Sequence, residues 1–205
     1  MEKSRGEIDK LRSSLAGLGP KIGAILLGLS SSQIVWKPAP DSRSPNPWCI
    51  AECVEHLTIT ARLYLEQLQL VELTEVETKP GPATRAADWL TTKLILHVAP
   101  NSKIRLPAPK KFRPRNVPSA ISSTGSDIVT VSAVLGEFVR VHDQLAKFLS
   151  ELKSDSQLKN LRVGSPASNL ISMQLRQGFQ LLIAHANRHI GQIERVKNDK
   201  DFPRA

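Results

Sequence analysis

The chain has 205 residues, 40% of them hydrophobic and 23% charged, which is enough to bury one sizeable core without disulfides or a structural metal. Aromatic content is only 4%, so the core falls to Leu, Ile, Val and Ala, which favours helix packing. Net charge is +9, but the excess gathers in residues 103–115, where Lys103, Arg105, Lys110, Lys111, Arg113 and Arg115 surround one aromatic, Phe112; without a ladder of stacking rings, this argues against nucleic acid and for a solvated basic loop.

From the N-terminus, apolar residues fall at Ile8, Leu11, Leu15, Leu18, Ile22, Ile25 and Leu29, the alternating steps of three and four that mark one helical face. Gly19-Pro20 is expected to kink or split this helix, because proline lacks an amide hydrogen and disfavours helical geometry in the residue before it. The longest apolar run here, Ile22 to Leu29, has eight residues and two glycines. A bilayer span needs about 20. The mixed-charge start Met1-Glu2-Lys3-Ser4-Arg5 also lacks the layout of a signal peptide. A soluble cytoplasmic protein with one domain over residues 1–205 is the expectation, its cysteines, Cys49 and Cys53, reduced.

Residues 37–47 hold four prolines and read as a loop. A second helix is expected from Asn46-Pro47, with Asn as cap and Pro at the first helical position, burying Val54, Leu57, Ala61, Tyr64 and Leu68. Residues 83–98 suggest a shorter helix bearing Trp89, Leu90 and Leu94, followed by a proline-rich basic crossover over about 99–120. The third long helix is the most regular, with Ile128, Val131, Leu135, Phe138, His142, Leu145, Leu149 and Leu152 in register. The fourth runs from about Ala167 to Val196 and turns Leu175, Phe179, Leu182, Ala186, His189, Ile193 and Val196 inward. No alternating run with hairpin signals appears, so strands are not expected. Four long amphipathic helices with one long connection describe an all-α bundle.

Within that frame the histidines carry the chemical interest. His185 and His189 are four residues apart, so a helix puts both rings on one face, and His56 borders the buried stripe of the second helix. Bundles build metal sites from inward side chains of facing helices, and three neutral imidazoles leave an open position on a divalent ion. Spacing alone leaves the alternative open that each ring is satisfied by hydrogen bonds. Cys49, Cys53 and His56 form a rival cluster, since steps of four and three also share a face. His142, on an apolar seam, needs a hydrogen bond or a function to offset its burial, and His97 near a helix end reads as structural. Glu52 lies one turn before His56, and Gln192 nearly one turn after His189, so both are candidates to orient a ligand ring through its second nitrogen; His142 is a third.

The segments Trp48-x-x-x-Glu52-x-x-x-His56-Leu57 and His185-x-x-Arg188-His189-x-x-Gln192-Ile193 resemble the two signature regions of the DinB/YfiT-like superfamily. The resemblance spans nearly the whole chain, including the helix order and the proline-marked crossover. It implies a four-helix bundle with a short accessory helix and a three-histidine site for one divalent metal, typically nickel or zinc, carried by His56, His185 and His189. The resemblance further implies bacillithiol or mycothiol S-transferases, a mycothiol-dependent isomerase or metal-dependent hydrolases as relatives, hence a metal-assisted transfer or hydrolysis that activates a low-molecular-weight thiol or water. Catalytic residues are not assigned by it. Cys49 stands where the family often has Ser or Thr, which leaves the capping to Asn46. The alternatives are a non-catalytic metal-binding stress or interaction module, as a homodimer through an exposed helix face, and a polyanion-binding protein using residues 103–115.

Overall fold

The computed structural model describes residues 5–40, 45–73, 81–98, 108–115 and 127–204. Helices dominate. The first amphipathic stretch is two helices, α1 (Gly6–Ala16) and α2 (Leu18–Leu26), which share one buried stripe of Ile8, Leu11, Leu15, Leu18, Ile22 and Leu26. The break falls at Gly17 rather than at Gly19-Pro20. Pro20 instead occupies the first turn of α2, where a missing amide hydrogen costs no helical hydrogen bond. A short α3 (Ser31–Val35) follows, started by a capping box in which Ser30 and Gln33 satisfy each other's backbone amides.

The second long helix, α4 (Ile50–Leu68), begins later than its sequence suggested, because Cys49 and not Asn46 caps it. The Cys49 Sγ accepts from the Glu52 amide at 3.4 Å, and the Glu52 carboxylate accepts from the Cys49 amide at 2.9 Å. Ile50, Val54, Leu57, Ala61, Tyr64 and Leu68 are buried along it. Next comes α5 (Pro82–Val98), the expected shorter helix, on which Trp89 and Leu90 are each 60% exposed, with Lys93 lying over the Trp89 ring. His97 and Leu94 fall on α5, but their side chains lie outside the described residues, as does most of the crossover. What is described of the crossover is a 3₁₀ turn, Lys110–Phe112, whose Phe112 is buried.

The third long helix, α6 (Asp127–Glu151), packs against α1, α2, α3 and α4, and it buries Phe138, Val141, His142, Leu145 and Leu149. After the short α7 (Asp155–Asn160), the chain forms an antiparallel hairpin of β1 (Arg162–Ser165) and β2 (Ser168–Gln174). This corrects two expectations, that strands are absent and that the fourth helix starts near Ala167: that helix, α8, spans Leu175–Lys197. Buried Val163 and Met173 turn the hairpin's inner face onto α8. A Cβ at Gly178 would lie 2.9 Å from Val163 Cγ1, so the close approach depends on glycine. The Leu175 amide donates to the Leu161 carbonyl at 2.9 Å, and Gln174 with Gln177 forms a capping box, so the start of α8 is tied to the hairpin.

Four long helical segments, α1–α2, α4, α6 and α8, therefore surround one core, with α4 packed on both α6 and α8. Ile8, Leu15, Ile22, Val54, Phe138, Leu145 and Ile193 are fully enclosed within it. Each such side chain contributes about 1.5–3 kcal/mol on leaving water, which is what fixes the facing of α4 and α8. That facing positions the histidines. No described helix is long and apolar enough to cross a membrane.

Candidate metal centre

Burial of Val54 and Leu57 orients α4 so that His56, 3% exposed, points toward α8. On α8, burial of Leu182, Ala186 and Ile193 leaves His185 and His189 on the adjoining stripe, one turn apart and partly accessible. The three rings meet. Ring centres are 5.1 Å apart for His56 and His185, 4.7 Å for His56 and His189, and 4.6 Å for His185 and His189. One nitrogen from each ring lies within 4.8 Å of the others, so the trio could hold a metal ion after small ring rotations.

Hydrogen bonding fixes the tautomer of His56. Its Nδ1 lies 2.6 Å from the Phe112 carbonyl oxygen, which can only accept, so the proton is on Nδ1 and Nε2 is an acceptor. It accepts a hydrogen bond from His185 Nε2–H at 3.0 Å, a proton that a metal ion between the two nitrogens would replace. His189 Nδ1 is buried without a hydrogen-bond partner, a cost that a bound cation or water would relieve. Both observations fit a divalent ion: ring nitrogens converge, and a polar atom is left unsatisfied.

Electrostatics favour neutral donors. Burial pushes the His185 ring down to about 3, helped by the neighbouring charges of His56 and Arg188. Burial likewise pushes His189 down to about 2, with His185, His56 and Arg188 adding to the fall and the Gln192 side chain opposing it. His56 is lowered by burial, against the Phe112 hydrogen bond. A neutral imidazole is the form that ligates.

Trp48 walls the cage, 4.8 Å from the His56 ring and nearly parallel to the His189 ring at 6.0 Å. Glu52 bonds elsewhere than to a histidine: its carboxylate accepts from the Cys49 amide and from Lys37 Nζ at 2.8 Å, which holds the turn that carries Trp48. Gln192 faces His189. His142 makes both its hydrogen bond, Nδ1 to the Phe138 carbonyl at 2.8 Å, and its ring contact with Phe138. The cysteines do not join the trio. Both are buried free thiols, Cys49 pushed up to about 12 and Cys53 raised by burial, so neither is poised as a thiolate.

Sequence reasoning missed the Phe112 carbonyl, since a backbone acceptor carries no side-chain signature, and it gave Trp48 no role although the residue stands in the quoted motif. The family model of the DinB superfamily matches residues 22–193, a span that contains all three histidines. Neither the curated proteins nor the solved structures gave a match.

Proposed function

Because this chain belongs to the DinB superfamily and brings three imidazoles into one cage, we propose that it is a metalloprotein in which His56, His185 and His189 hold a divalent ion that assists transfer or hydrolysis on a small molecule. The observation that carries this reading is that one nitrogen from each of the three rings lies within 4.8 Å of the others, with His189 Nδ1 buried and unpartnered. Imidazole donors suit zinc and nickel among available ions. Such an ion supplies Lewis acidity that makes water or a low-molecular-weight thiol nucleophilic near neutral pH.

The chain's own residues supply the rest. The Phe112 carbonyl holds His56 in the tautomer whose lone pair faces the cage. Trp48 covers two of the rings and excludes water from that side. His185 and His189 remain partly accessible, so a substrate approaches from the α8 side. Gln192 keeps the His189 ring oriented.

Metal content of the purified protein tests the reading against His189→Ala. The expected result is one divalent ion per chain in the parent and a loss of most of it in the variant. Equal, negligible metal in both would end the proposal. Turnover of the metal-loaded protein across a panel of thiols and electrophiles then separates an enzyme from a non-catalytic metal module, which would hold metal and turn over nothing.

A further inference from the structure

The aromatic wall of the cage hangs from a helix cap. Trp48 precedes Cys49, the cap of α4, and its ring lies 4.8 Å from the His56 ring and 6.0 Å from the His189 ring. Thiol sulfur is a weak acceptor, and its bond from the Glu52 amide is long at 3.4 Å. The reciprocal bond is therefore the stronger half of the capping box: the Cys49 amide donates to the Glu52 carboxylate, at Oε2, at 2.9 Å. Whatever fixes that carboxylate fixes the backbone at Cys49, and with it the direction in which the Trp48 side chain leaves the chain.

Glu52 is only 8% exposed, and a carboxylate so far from water needs a counter-charge. Lys37 supplies it. Its Nζ donates to Glu52 Oε1 at 2.8 Å, while the lysine side chain itself is half-exposed. The lysine arrives from a pinned segment: Trp36, the residue before it, meets the Phe202 ring edge-on at 5.5 Å, and Gln33 Nε2 donates to the Pro203 carbonyl at 2.8 Å. One relay thus runs from Lys37 through the two oxygens of Glu52 to the Cys49 amide, and from there to the indole that covers two of the three imidazoles.

We propose that Lys37 and Glu52 are positioning residues for the Trp48 wall, so that an ion pair outside the cage sets how tightly the cage retains its ion. This rests on the metal reading above. Without the lysine, the carboxylate turns to water, the Cys49 amide is released and the indole swings away from the rings, which opens the ion to water and to competing ligands. The three imidazole donors stay, so the effect falls on retention and not on ligand number. A direct charge effect of Lys37 has the opposite sign, because removing a cation near a divalent ion favours its retention. A cap that serves folding alone changes only the melting temperature.

The test is a double-mutant cycle on the release of cobalt to excess chelator, with Lys37→Met, Trp48→Leu, the two combined, and Lys37→Arg as the charge-preserving control. The expected result is release about tenfold faster in Lys37→Met and in Trp48→Leu, parent-like release in Lys37→Arg, and a combined variant no faster than Trp48→Leu alone. Bound cobalt per chain should match the parent in all four. In the metal-free protein labelled with fluorotryptophan, the fluorine resonance of Trp48, assigned by its absence in Trp48→Leu, should move in Lys37→Met and return in Lys37→Arg. Parent-like release and an unmoved Trp48 resonance in Lys37→Met would overturn the inference and leave a helix cap only, whatever the melting temperature does. Additive effects in the combined variant would overturn it too, since the lysine would then act on the ion by a route other than Trp48. Failure of the parent to take up cobalt would defeat the metal reading, and the fluorine resonance would then decide alone whether the pair positions the wall.

Discussion

His56 Nδ1 and the carbonyl oxygen of Phe112, 2.6 Å apart, join the first helix of the histidine cage to a turn in the crossover. The buried Phe112 ring is what seats that turn. Phe112→Ala should therefore weaken divalent metal binding by about 10–100-fold, the usual effect of losing the partner that orients a ligating imidazole. Competition against a chelator of known affinity measures this. An unchanged affinity would show that the turn does not orient the ring.

His189 Nδ1 is a buried nitrogen without a partner, and such a group costs about 1–3 kcal/mol. His189→Leu should consequently leave the metal-free protein as stable as the parent or more so. It should also abolish the rise in melting temperature on adding metal, which for the parent corresponds to about 2.7 kcal/mol at a hundredfold excess over Kd. A variant less stable without metal, or one still stabilised by it, would contradict the assignment.

Four histidines, His56 and His142 buried and His185 and His189 half-buried, make the metal-free fold acid-sensitive. His56, His142, His185 and His189 all titrate below their ordinary value in the folded chain, the last two near 3 and 2, because burial disfavours the charged ring. Between about pH 6.5 and 3, the unfolded chain binds protons that the folded chain does not, so stability rises with pH across this window and falls on acidification. The slope is up to about 1.4 kcal/mol per pH unit for each such proton. Denaturant melts at pH 7 and pH 5 check the sign. Greater stability at pH 5 would be inconsistent with neutral buried rings.

Cys49 Sγ caps α4 at 3.4 Å from the Glu52 amide, a long bond from a weak acceptor. Serine is a better cap residue, so Cys49→Ser should hold or raise stability, by up to about 1 kcal/mol. Cys49→Val should lower it by a similar amount through loss of the cap. Thermal melts of the two variants decide, and a valine variant as stable as the serine one would deny the cap.

The parts of the fold legible in the sequence were those that repeat. The stripe through Phe138, His142, Leu145 and Leu149 sustains several turns, and the His185–His189 pair needs only helical geometry to share a face. Short or unpatterned features escaped. In β1 the burial alternates over only four residues, too few to distinguish from a loop, and the start of α8 is set by the Gln174–Gln177 box and the Leu161–Leu175 bond rather than by periodicity. The cap of α4 was misplaced because Asn46-Pro47 carries the stronger propensity signal, whereas Cys49 caps through its pairing with Glu52. The cage itself was legible as three histidines, but its orienting group was not, since the Phe112 carbonyl is backbone.

X-ray absorption on the zinc- or cobalt-loaded protein tests the central claim most directly. The account predicts a first shell with three imidazole nitrogens and no sulfur, falling to two imidazoles or to no bound metal in His56→Ala. A shell containing cysteine sulfur, or one unchanged by removal of His56, would contradict it.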